Sequence, residues 1–164
     1  IANQASHYID LLLWVMGDVS SVFAKSETAL VNIEAEDTAV VILKFKSGAL
    51  GVIEATTAAR PHNIEGSISV LGEKGNAEIS GIALNEIKHW NFVNRLSEDE
   101  NVKEDCYENP PDVYGFGHKA YYEDIVRSLI NDTKSMIDGA EGRKSLELIS
   151  AIYKSIETGK EILL

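Results

Sequence analysis

Apolar positions at the start of the chain recur with a helical period. Ile9, Leu12, Leu13 and Met16 follow the i, i+3, i+4, i+7 rule, so residues 3–16 are expected to form a helix with one apolar face. Gly17-Asp18 ends it, with glycine in its usual position after a helix. The pattern then changes. Val19–Leu30 is β-branched and small, and Thr38–Lys46 alternates, with Ala39, Val41, Leu43 and Phe45 on one side. A turn at Lys46-Ser47-Gly48-Ala49 leads into Leu50–Ala59, which predicts an antiparallel hairpin. Ile64–Leu71, a turn at Gly72-Glu73-Lys74-Gly75, Asn76–Ser80 and Leu84–Trp90 continue the extended pattern. Residues 94–116 are polar, contain Pro110-Pro111 and read as a long loop. Helical period returns in Gly117–Asn131, with Tyr121, Ile125 and Leu129 in phase. It returns again in Ala140–Thr158, with Leu146, Ile149, Tyr153 and Ile156 in phase.

One helix, a run of strands and two closing helices is an α+β order. The expected architecture is an open, mainly antiparallel sheet of about six strands with helices on one face. The 164 residues suffice for one well-buried domain and are marginal for two. Helical patterning is already under way in the first few residues, so the chain is expected to begin inside a longer protein.

Alternation also gives the sheet a second face. Val40, Ile42, Ile53 or Val52, Ala55 and Gly51 fall on it, depending on register. That face is too apolar to be left wholly in water, and self-association through it, as a dimer or tetramer, is expected.

Composition removes several functions. The balance of 45% hydrophobic and 25% charged residues is that of an ordinary soluble globular domain. A net charge of −11 argues against nucleic acid, whose binding depends on Lys and Arg meeting phosphates. The longest apolar run, near Leu11–Met16, is too short to span a bilayer, and nothing at the start has the layout of a secretory signal. One cysteine, Cys106, excludes an internal disulfide, fits a reducing, cytoplasmic setting and reads as a small filler in a loop. The four histidines are far apart in sequence and no metal-ligand spacing is present, so no metal site is expected.

Candidate chemistry sits on the first helix. Asn3, His7, Asp10 and Trp14 are spaced by 4, 3 and 4 residues, which puts them on one face, roughly opposite the apolar one. A polar face is usually only a solvated one. Here, however, an Asp one turn from a His can hold an imidazole tautomer, and a Trp supplies a half-apolar wall. Arg60, between two strands, offers a fork of donors for a phosphate or carboxylate, or else stands in an exposed turn. Gly115–Ala120 matches G-x-G-x-x-A ahead of a helix, but the preceding residues include Pro110-Pro111 and cannot form the central strand that a dinucleotide site needs. It reads as a helix-starting turn, with His118 and Tyr122, four residues apart, available to line a pocket.

Asn3-Gln4-Ala5-Ser6-His7-Tyr8-Ile9-Asp10 resembles the D-x-x-x-H-x-x-D helix of the glucose–fructose oxidoreductase/inositol dehydrogenase (Gfo/Idh/MocA) family. Glu36-Asp37-Thr38-Ala39, the two glycine turns, Glu141–Leu146 and Ile152–Ser155 fit the same family in order and spacing, so the resemblance covers essentially the whole chain. It implies the C-terminal, substrate-binding and oligomerisation domain of a sugar oxidoreductase that uses NAD or NADP. Family members place a Rossmann domain first, with a glycine fingerprint and an E-K-P motif. Neither is found here, so no cofactor is expected on residues 1–164 themselves.

By the resemblance, His7 is the residue that takes the proton of the hydroxyl being oxidised. Asn3 departs from the family's Asp. An amide cannot supply negative charge to the imidazole, so Asn3 is expected to hydrogen-bond substrate, with Gln4 and Asp10 beside it. The stretch Ala59–Ser67, which includes Arg60 and Asn63, together with Ala83-Leu84-Asn85, looks most like members acting on nucleotide-activated amino sugars, the UDP-N-acetylglucosamine(uronate) 3-dehydrogenases. The expected partner is therefore a sugar or nucleotide-sugar substrate. The competing reading is a non-catalytic module for sugar binding or assembly.

Overall fold

A computed structural model describes residues 1–62, 64, 66–81, 83–102 and 116–164. The elements run α1 (Ser6–Met16), β1 (Val19–Glu27), β2 (Thr38–Phe45), β3 (Leu50–Thr56), β4 (Ile68–Gly72), β5 (Gly75–Ser80), β6 (Glu86–Phe92), a 3-10 turn at Ser97–Asp99, α2 (Gly117–Asn131), α3 (Gly139–Thr158) and β7 (Ile162–Leu163). The class is α+β, and every strand pairing is antiparallel. The strands are hydrogen-bonded as a four-stranded sheet, β3-β2-β1-β7, and a three-stranded sheet, β4-β5-β6. The chain forms two compact units, Ile1–Asn63 with Ile137–Leu164, and Ile64–Met136.

The first unit carries the larger core. Ile9 from α1, Val22 and Ala24 from β1, Val41, Leu43 and Phe45 from β2, and Leu148 and Ile152 from α3 are buried against one another. Alternation in β2 is strict: Ala39, Val41, Leu43 and Phe45 are buried while Val40, Ile42 and Lys44 are exposed. The β2–β3 turn closes with Phe45 N–H on Ala49 O and Gly48 N–H on Phe45 O, both at 2.9 Å. Gly48 holds φ +91°, a left-handed setting that favours glycine. Gly17, at φ +81°, ends α1 by donating its N–H to Leu13 O at 2.8 Å.

Register settles which residues share the outer sheet face. Val40 lies opposite Glu54, Ile42 opposite Val52 and Lys44 opposite Leu50, so Val52 and Leu50 join Val40 and Ile42 there. Ile53 and Ala55 pack against the core instead, and Gly51, paired with Leu43, lies beneath Phe45. A Cβ on Gly51 would come within 3.0 Å of the Phe45 ring, so a side chain there requires the ring to shift by a few tenths of an ångström.

The helices differ from their sequence pattern in detail. α3 buries Leu148, Ile149, Ala151, Ile152 and Ser155, whereas Leu146 is exposed, because the face centred on Leu148 and Ile152 is the one that meets β1. The second unit pairs β4, β5 and β6 and contains α2, whose sole buried residue is Ser128. Tyr121 and Leu129, in phase along α2, are both exposed. Within this unit Trp90 donates Nε1–H to Asp99 Oδ1 at 2.8 Å, fixing the 3-10 turn against β6.

Candidate active site on the first helix

The apolar side of α1 is anchored. Ile9 is fully buried, and Leu12, Leu13 and Met16 pack against the same core. That anchoring turns the opposite side outward. Asn3 and Gln4, in the turn before α1, and His7, Asp10 and Trp14, on it, are all exposed, Trp14 to 83%. The helix begins at Ser6 rather than at residue 3, so His7, Asp10 and Trp14 share an exposed face of α1 while Asn3 and Gln4 precede it. The imidazole of His7 stacks at a tilt on Tyr8, with ring centroids 4.3 Å apart. Among the described residues, His7 and Asp10 make no hydrogen bond to each other, so Asp10 does not fix the His7 tautomer. His7 and Asn3 are both exposed.

The other candidates lie elsewhere. Arg60 follows β3, is exposed, and turns its guanidinium back so that Nη1 donates to Ala59 O at 2.9 Å. The Arg60–Pro61 peptide bond is cis. Asn63 lies outside the described residues, as do Cys106 and Gly115. His118 and Tyr122 belong to the second unit, both exposed on α2. Tyr122 lines an open groove of about 490 Å³ with Val126 and Ile130, all of it from α2, and His118 does not line it. Among the described residues, no group of three His, Cys, Asp or Glu side chains could hold a metal ion. No described helix is long and apolar enough to cross a membrane.

Two adjacent acidic residues, Glu36 and Asp37, make structural hydrogen bonds that the sequence alone does not show. Asp37 is buried, and its Oδ2 accepts the N–H groups of Leu30 at 2.6 Å and Val31 at 2.8 Å. Those two bonds pull its pKa down to about 2. Glu36 accepts the Tyr153 hydroxyl at 2.8 Å. Their signal was present in Glu36-Asp37-Thr38-Ala39, but sequence does not say which groups such carboxylates meet.

Among the described residues, the start of α3 does not fit a dinucleotide phosphate. The N-terminus of α3 is closed by Asp138, whose Oδ1 takes the N–H groups of Ala140 at 2.9 Å and Glu141 at 3.1 Å, leaving a carboxylate where a phosphate would sit.

The sequence pattern of the oxidoreductase family C-terminal alpha/beta domain (Gfo/Idh/MocA) matches residues 1–164. The chain belongs to this family. Among solved relatives, the WlbA dehydrogenase of Bordetella pertussis, in complex with NADH and UDP-GlcNAcA, is 46% identical with a TM-score of 0.89, over 99% of this chain and 46% of that one. The WlbA dehydrogenase of Chromobacterium violaceum, in complex with the same two ligands, is 44% identical with a TM-score of 0.86, over 99% of this chain and 45% of that one. The myo-inositol 2-dehydrogenase of Thermotoga maritima is 30% identical over 99% of this chain and 48% of its own length. The chain thus spans about half the length of these relatives.

Proposed function

We propose that this Gfo/Idh/MocA domain is the substrate-binding half of an NAD-dependent dehydrogenase that oxidises a ring hydroxyl of a nucleotide-activated sugar. The observation that carries the reading is the unpaired, exposed row of Asn3, His7 and Asp10, held outward by the burial of Ile9 on the opposite side of α1. Oxidising a CH–OH group removes a proton and a hydride. A neutral imidazole at His7 accepts the proton. The nicotinamide, carried by a separate dinucleotide-binding half, accepts the hydride. Asn3 and Gln4 donate amide hydrogen bonds to neighbouring sugar hydroxyls, Asp10 accepts from one, and Arg60 and Asn63 meet the charged or nucleotide part of the substrate.

The nucleotide-sugar assignment draws on the two WlbA dehydrogenases, which exceed the inositol dehydrogenase in identity. The NADH in both structures supports NAD as the cofactor of the whole protein. A setting in the cytoplasm suits a single cysteine and a nucleotide-sugar substrate.

A second role rests on a separate observation. Val40, Ile42, Leu50 and Val52 form an exposed apolar patch on the outer face of the four-stranded sheet. Such a patch suits packing against a second copy, so assembly and substrate binding are assigned to one domain.

The test is NADH formation by the protein carrying both halves. Turnover with NAD⁺ and UDP-GlcNAcA, but not with myo-inositol, is expected. The opposite preference, or no turnover with either, contradicts the substrate assignment. Calorimetry on residues 1–164 alone should give no NADH binding, and tight binding would contradict the division of labour.

A further inference from the structure

The start of α1 has a weakness that bears on His7. Ala5 stands at the N-cap position and its methyl group offers no acceptor, so no side chain caps the helix. His7 is the second residue of α1, inside the turn whose N–H groups have no intrahelical partner and which frays first. Burial of Ala5 and Ile9 fixes one side of this turn. The segment before it is held locally by the Ser6 hydroxyl, which donates to Asn3 O at 3.0 Å, and by the Ala5 N–H on Ile1 O at 3.2 Å, both within one turn.

A further fastening comes from two distant parts of the first unit. Tyr153, on α3, accepts the Ala2 N–H on its hydroxyl oxygen at 3.3 Å and donates its own proton to Glu36 Oε1 at 2.8 Å. The Glu36 side chain is only 10% exposed, so its bond with Tyr153 is sheltered from water, while the Ala2–Tyr153 bond lies at the surface. Burial and the Glu36 carboxylate raise the pKa of Tyr153, so the phenol keeps the proton it donates. α3 is itself held to β1 by Leu148 and Ile152, which makes it a rigid post.

We infer that Tyr153, tied to Glu36, is a positioning residue for the proposed reaction, fastening residues 1–5 so that Asn3 and His7 keep their bearing at the head of α1. The inference rests on the reading of His7 as proton acceptor. Displacement of a catalytic group by about 1 Å can cost up to about a hundredfold in rate. Tyr153→Phe keeps the ring and its packing and removes only the hydroxyl.

The experiment compares Tyr153→Phe, Glu36→Gln and His7→Ala with the parent, in the protein carrying both halves. Steady-state kinetics use NAD⁺ and the nucleotide sugar, and hydrogen exchange is read at the Ala2 amide. In Tyr153→Phe the Ala2 amide should exchange about tenfold faster and kcat should fall about tenfold, with KM for NAD⁺ unchanged. Glu36→Gln, which keeps an acceptor but loses the charge, should fall between parent and Tyr153→Phe. A purely structural Tyr153 would lower thermal stability without separating kcat from KM. Unaltered exchange at Ala2 overturns the inference. So does a kcat within roughly twofold of the parent while His7→Ala remains crippled. Full turnover in His7→Ala would instead overturn the reading of His7 beneath it.

Discussion

Ser155 receives the N–H of Ala24 on its hydroxyl oxygen at 3.0 Å, joining α3 to β1 inside the core. Ser155 is fully buried and passes its own proton to Lys160 O at 2.7 Å. β7 pairs with β1 only at Ser21 and Val22, so this hydroxyl takes over where the short strand stops. Ser155→Ala leaves a buried N–H without an acceptor. It should destabilise the chain by about 1–3 kcal/mol, read as a lower midpoint in urea with an unchanged slope. An unchanged midpoint would show that Ala24 finds another acceptor.

Asp37 makes stability depend on pH at the acid end. Its folded pKa is lowered to about 2 by the N–H groups of Leu30 and Val31, below an unfolded value of about 4. A depressed carboxyl pKa contributes stability that is complete above the unfolded value and is lost as pH falls toward the folded one. Urea unfolding between about pH 4 and pH 2 should therefore show a loss that Asp37→Asn does not show. Parallel curves for the two proteins would mean that other carboxylates carry the acid sensitivity.

The outer sheet face predicts association. Ile42 and Val52 sit directly opposite each other at the middle of the exposed patch. Charge placed there, as Ile42→Glu with Val52→Glu, should convert a dimer or tetramer into monomers by light scattering at micromolar concentration. An interface formed by these strands should bury more than about 1,000 Å². A parent protein that is already monomeric at that concentration contradicts the expectation.

Periodicity made much of this fold legible. Ile9, Leu12, Leu13 and Met16 announce the buried side of α1, and hence the exposed row of Asn3, His7 and Asp10 opposite. The strict alternation of β2 announces both sheet faces. Register was not legible, because Val52 and Ile53 are equally apolar and only hydrogen-bond pairing decides which faces outward. β7 is two residues long and leaves no pattern to read. Tyr153 fits an apolar helical face by spacing, which hides that its hydroxyl, not its ring, makes the long-range link. Leu146 and Leu129 show the reverse failure: both sit in phase on their helices, yet neither is buried.

The central claim is that His7 moves the substrate's proton. Turnover by His7→Ala in the protein carrying both halves, at saturating NAD⁺ and nucleotide sugar, measures it most directly. A positioned general base contributes about 10²–10⁴ in rate, so kcat should fall by that factor while KM for the sugar changes much less. A kcat within a few-fold of the parent would make His7 a surface histidine on a solvated helix face and contradict the account.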